Sequence, residues 1–150
     1  LSLSVMVLDQ LTKALASHHL SYGISKSLAP GLDLTLLHNT GAAFSLLAHA
    51  GGWQQILFVV VTLLVVGCLV YGLRHTTCFR AGLGASLVVG GALGNMVDRV
   101  VHHHVIDFID VSFQQWHWPV FNFADAAICA GVVLLLWRSQ SGSNTPSSRQ

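Results

Sequence analysis

Apolar residues run in long blocks along this chain, separated by shorter polar stretches marked by glycine and proline. Blocks of this kind are what a bilayer selects, whereas a soluble core selects alternating faces. The first block, residues 1 to about 20, is broken by Asp9, Gln10, Thr12 and Lys13. On a helix Asp9, Thr12 and Lys13 share one face, since residues three and four apart are neighbours. Only eight residues precede Asp9, roughly 12 Å of helix, so this span is expected to be truncated, with the natural N-terminus further upstream. Residues 53–73 form a second block without a single charge, long enough for a hydrocarbon core of about 30 Å. Residues 81–101 form a third, rich in glycine. Gly90 and Gly94 have the spacing that lets membrane helices approach closely, which predicts a central helix. Residues 121–137 form the fourth.

Between the first two blocks, Leu32, Leu34 and Leu36 alternate with Asp33 and Thr35, the period-two signature of a short strand with one wet face. Residues 21–52 are therefore expected to hold a small β element outside the membrane. Residues 102–119 are expected to be an outer loop, with Trp116 and Trp118 at the interface. The pattern thus predicts an all-α membrane protein: four transmembrane helices with a small extramembrane β cradle and an outer loop segment. It forms one domain over residues 1–137, followed by a disordered tail over 138–150.

Composition strengthens this reading. Of 150 residues 53% are hydrophobic and 9% charged, against about 25% charged in a soluble domain. A net charge of +1 gives no basis for nucleic-acid binding. Cys68, Cys78 and Cys129 lack the paired spacing of a zinc site or a disulfide framework, and no cleavable signal peptide is evident. Arg74 and Arg80 place the 74–80 loop in the cytoplasm by the positive-inside tendency. Both termini then face the cytoplasm, and the 21–52 and 102–119 segments face outward. Lys13 and Lys26 run against that charge asymmetry.

In so apolar a chain the acids need explaining. Asp98, Asp107, Asp110 and Asp125, four of the six acidic residues, gather at one membrane face in this topology, and an ionisable group there is by default a functional hypothesis. Asn95 and Asp98 are three apart, as are Asn122 and Asp125, so each Asn is expected to share a helix face with its Asp and hold it. Arg99 is placed to neutralise one acid. Two carboxylates brought close cannot both ionise cheaply, and such a pair can act as general acid and general base. Asp125 is one member of such a pair; the residues alone leave Asp98 and Asp107 both open as the other. Two further readings of the acids are a proton relay through Asp9, Asp98 and Asp125, and polar glue between helices. The run His102–His104 points in three directions on any regular backbone, unlike the spaced ligands of a zinc motif, and is expected to begin a wet loop.

Five stretches in order, DQLTK at 9–13, HNTGAAFSLL at 38–47, GGALGNMVDRV at 90–100, VIDFIDV at 105–111 and FNFADAAI at 121–128, carry a resemblance to the lipoprotein signal peptidases, or signal peptidase II. The resemblance implies a bacterial inner-membrane aspartic peptidase that cuts prolipoproteins just before a diacylglyceryl-modified cysteine. It implies no metal and no cofactor, and partners limited to the lipid-modified substrate and membrane lipid, with the enzyme a monomer. Its catalytic pair corresponds here to Asp107 and Asp125, with Asp98 a supporting acid paired with Arg99. Asn39, Gly41, Asn95, Arg99 and Asn122 match positions that contact substrate or order the site. Asp9 and Lys13 match the first motif and brace the first helix, and the 21–52 region matches the cradle that receives substrate.

Overall fold

The computed structural model describes residues 1–41, 53–75, 77–114 and 116–141. The elements in order are α1 (Ser2–His19), β1 (Ser25–Ala29), β2 (Leu32–Asn39), α2 (Trp53–His75), α3 (Phe79–His102), β3 (Val105–Phe113), β4 (Trp116–His117) and α4 (Phe123–Ser141). Helices dominate, and the four strands form one antiparallel sheet in the order β1-β2-β3-β4.

The glycines explain why α3 is the centre of the bundle. A Cβ at Gly84 would lie 2.8 Å from the Gly131 carbonyl oxygen, and one at Gly131 would lie 2.6 Å from that of Gly84, so α3 and α4 meet backbone to backbone. On another face of α3, a Cβ at Gly90 would lie 2.6 Å from the Ser2 carbonyl oxygen, and one at Gly94 would run into the Asp9 carboxylate. The small-residue spacing thus has a use beyond proximity, because Gly94 makes room for a buried charge. Gly94→Ala is expected to push α1 off α3 and cost about 1–3 kcal/mol, the usual penalty for overpacking. Thermal unfolding of the purified protein in detergent measures it, and an unchanged midpoint would contradict this packing.

Among the described residues one helix, α2, is by length and composition able to cross a membrane. The apolar part of α4, Phe123–Trp137, is shorter, while α1 is interrupted by Asp9 and Lys13 and α3 by glycines, Asp98 and Arg99. The helix α4 runs to Ser141, so the tail expected from residue 138 is helical at its start; residues 142–150 lie outside the described residues.

The β element is larger than the leucine alternation suggests. Pro30 and Gly31 join β1 to β2, with Gly31 at φ 81°, the residue pair of a type II turn. A Cβ at Gly31 would lie 2.6 Å from the Ser112 carbonyl oxygen, so only glycine lets this turn pack on β3. The expected outer loop at 102–119 is instead mostly strand: β3 pairs along β2, with Leu37 opposite Asp107 and Asn39 opposite Val105. Its Val, Ile and Phe content is the β signal, masked by two acids in a near-continuous apolar run. Leu36, Ile106 and Phe108 pack on Ala16, fixing the sheet to the end of α1. Residues 42–52 of the expected cradle lie outside the described residues.

Candidate active site

The sheet follows the C-terminal ends of α1 and α3 and precedes the start of α4, so three helix ends and β3 converge. A buried ion cluster holds this junction. Lys13 is 1% exposed, and its Nζ lies 2.8 Å from Asp9 and 2.8 Å from Asp98. It also donates to Asn95 Oδ1 at 2.8 Å, so all three ammonium protons have acceptors. Asp9 spends its other oxygen on the backbone N–H of Ala124, at 2.9 Å, capping the first turn of α4 from a different helix. Asp98 accepts from Gln10 Nε2 at 2.8 Å and from the Ile106 N–H at 3.1 Å. Asp9 thereby ties α1 to α4, and Asp98 ties α3 to β3.

Asn122 stands immediately before α4 and caps it. Its Oδ1 accepts from the Asp125 N–H at 2.9 Å, and Asp125 Oδ2 accepts from the Asn122 N–H at 3.3 Å. This is a reciprocal capping box with Asp in the place usually taken by Glu. The same Asn122 donates through Nδ2 to Asp107 Oδ1 at 2.7 Å and to Asn95 Oδ1 at 3.2 Å. One side chain therefore binds both Asp107 and Asp125. The β3 side is held by backbone pairing, since Ile109 and Phe121 exchange N–H···O bonds of 2.8 and 3.0 Å.

The Asn95 amide has one possible sense. Lys13 and Asn122 both donate to its oxygen, so its Nδ2 faces Asp125 Oδ1 and donates at 2.8 Å. Asp107 also accepts from Asn39 Nδ2 at 3.1 Å, and Asn39 Oδ1 accepts from the Gly41 N–H at 3.0 Å. The Asp107 carboxyl is pushed up to about 6, first by burial and then by the charge of Asp125, against the donors on Asn39 and Asn122. A group so placed can hold or release a proton near neutral pH.

Several expectations change here. Asp98 does not pair with Arg99 but with Lys13, because neighbouring residues on a helix point about 100° apart. Asn95 does not hold Asp98; it holds Asp125. Asn122 caps α4 instead of lying on its face. Asp98 is bonded by Lys13, Gln10 and the Ile106 N–H, whereas Asp107 shares Asn122 with Asp125. Arg99 donates to the Asn95 carbonyl at 3.3 Å and to the Gly41 carbonyl at 3.5 Å, and stacks 5.0 Å from the Phe58 ring centroid. Asp110 stands apart, accepting from Thr35 at 3.0 Å. Two contributors escaped the sequence reading. Gln10 bonds Asp98 and the Gly94 carbonyl, and Gln55 of α2 donates to the Thr40 carbonyl at 2.6 Å. Both are polar residues in otherwise apolar blocks, which was the available signal.

The fold that carries this arrangement is shared with a class of solved bacterial membrane enzymes. A solved bacterial membrane enzyme structure, obtained by the in meso method, superposes with a TM-score of 0.88 and 29% identity, over 99% of this chain and 90% of that one. A second such structure gives 0.83 and 30%, over 96% and 91%. Within that class the chain belongs to the signal peptidase II family, whose description, signal peptidase (SPase) II, matches residues 1–140, and the family is one of peptidases. The lipoprotein signal peptidase of Coxiella burnetii is 47% identical over 138 residues, 91% of this chain and 85% of that protein. That of Burkholderia mallei is 45% identical, over 91% and 83%.

Proposed function

We propose that this protein is a bacterial inner-membrane aspartic endopeptidase that removes signal peptides from prolipoproteins, cutting just before the diacylglyceryl-modified cysteine. Family membership supports the removal of lipoprotein signal peptides. The observation that carries the mechanism is the binding of Asp107 and Asp125 by one residue, Asn122.

Asp125 is the general base. It accepts N–H bonds from Asn95 and Asn122 and lies in the first turn of α4, where the helix dipole favours an anion. Asp107, buried and raised to about 6, carries the proton. Asp125 takes a proton from water as the water oxygen bonds to the scissile carbonyl carbon. Asp107 gives its proton to the leaving nitrogen as the C–N bond breaks, and the pair keeps one proton throughout. Arg99, whose buried Nε has no hydrogen-bond partner among the described residues, is the donor offered to the substrate carbonyl oxygen. Asn39 bonds Asp107 and the Gly41 N–H, and Gly41 accepts from Arg99, which puts both in position to contact substrate; Asn95, Asp98, Asp9 and Lys13 position the pair.

In this reading α1 to α4 are four spans of a single domain over residues 1–137, a monomer with a short cytoplasmic tail. The 74–80 loop and both termini are cytoplasmic, and the sheet and the aspartates sit near the periplasmic face. That placement lets the acyl chains of the substrate stay in lipid while its peptide reaches water. The reaction draws only on protein carboxyls and water.

Incubating the purified protein with a diacylglyceryl-modified precursor and its unmodified form tests the reading. Cleavage of the modified form alone is expected; equal cleavage of both would sink the assigned specificity. The pH profile tests the roles. Activity is expected to fall as pH rises through about 6, the value of Asp107. Asn39→Ala removes a donor to the ionised carboxylate, so this alkaline limb should move to higher pH. A limb that stayed put or moved down would mean Asp107 is not the acid.

A further inference from the structure

A second binding feature lies away from the aspartates, in a groove of 280 Å³ between the end of α1 and the sheet. Its walls are Leu15 and Ala16 from α1, Leu20 just past the end of that helix, and Leu28, Leu34 and Phe108 from the strands. Leu15 and Leu28, 58% and 57% exposed, leave its mouth open. Lys26 and His19 stand on the rim, and no aspartate lines the groove. Lys26 is the register partner of Leu34 on β2, and directly opposed residues share a sheet face, so its charge is held above the apolar wall. Among the described residues none of the aspartates pairs with it.

A narrow apolar slot with an unneutralised ammonium at its mouth is complementary to one chemistry, an alkyl chain joined to an anionic headgroup. Lysine stems lie naturally along apolar surface with the ammonium at headgroup level, where anionic lipid attracts it. We propose that this groove binds one anionic phospholipid, its phosphate at Lys26 and His19 and an acyl chain along Leu15, Leu28 and Leu34. The diacylglyceryl group of the substrate carries no phosphate and would leave the rim unused. Neither Asp107 nor Asp125 lines the groove, so its occupancy can be read whether or not the protein cleaves anything.

The full chain, delipidated in detergent, is titrated with dimyristoyl phosphatidylglycerol or dimyristoyl phosphatidylcholine, and bound lipid is counted by native mass spectrometry. One phosphatidylglycerol is expected to bind about fivefold more tightly than phosphatidylcholine, the scale of one lysine near anionic lipid. Lys26→Gln should abolish that preference, and Leu28→Asn should weaken both lipids with an unchanged thermal midpoint. Equal affinity for the two lipids in the unmodified protein would overturn the proposal, as would a preference that survives Lys26→Gln. So would displacement of the bound lipid by a diacylglyceryl-cysteine peptide, which would assign the groove to substrate.

Discussion

Asp107→Asn and Asp125→Asn are each expected to cut cleavage of a lipid-modified precursor by about 10²- to 10⁴-fold, the range general acid–base catalysis supplies. Both variants should fold, because Asn keeps the volume and an acceptor oxygen for Asn122. Asp107→Asn also changes how stability depends on pH. Asp107 titrates near 6 in the folded protein against an ordinary 3.8, so between those values the native state binds more protons than the unfolded chain. Stability from this group is complete below about pH 4 and is lost as pH rises through 6, by roughly 3 kcal/mol at most. Asp107→Asn lacks that term, so its unfolding midpoint relative to the unmodified protein should climb between pH 4 and 7. Full activity in either variant would remove the substituted residue from the pair, and a parallel pH dependence for Asp107→Asn would mean that Asp107 is not the acid.

Lys13→Met carries the second large effect. It leaves Asp9 and Asp98, 0% and 1% exposed, without the cation that both contact at 2.8 Å. Breaking a buried ion pair by removing one partner costs about 3–5 kcal/mol, enough to deplete the folded protein. The cost arises from the stranded carboxylates more than from lost attraction. Lys13→Met combined with Asp98→Asn should therefore recover part of the stability. It should not recover activity, because Lys13 also holds the Asn95 oxygen and so aims the Asn95 amide at Asp125. Thermal unfolding beside single-turnover cleavage separates the two outcomes. A double variant with normal turnover would show that Asn95 needs no help from Lys13.

Much of the candidate site is legible in the sequence. Acids in an apolar chain are costly, and Asp98, Asp107, Asp110 and Asp125 stood out for that reason, although Asp110 bonds Thr35 apart from the other three. The glycine spacing of the third block indicated a central helix, and α3 is central. The strand over 32–37 was legible from its alternation. The strand at 105–113 was not, because it presents buried side chains on both faces near its start, from Val105 to Phe108, and a run without alternation carries no period.

What the sequence determined by itself was composition-level and local: long apolar helices, the short strand from Leu32, the family, and which polar residues needed a purpose. Pairing was decided only in three dimensions. A spacing of three joins Asn95 to Asp98 on paper. In the folded protein Lys13 reaches across from α1 to take Asp98, and Asn95 turns to Asp125 on α4. Asn122 looked like a helical neighbour of Asp125 and proved to be its cap and the link to Asp107. A buried polar group must find a partner within about 3 Å, and which partner lies that close depends on how helices pack, not on how far apart residues are along the chain.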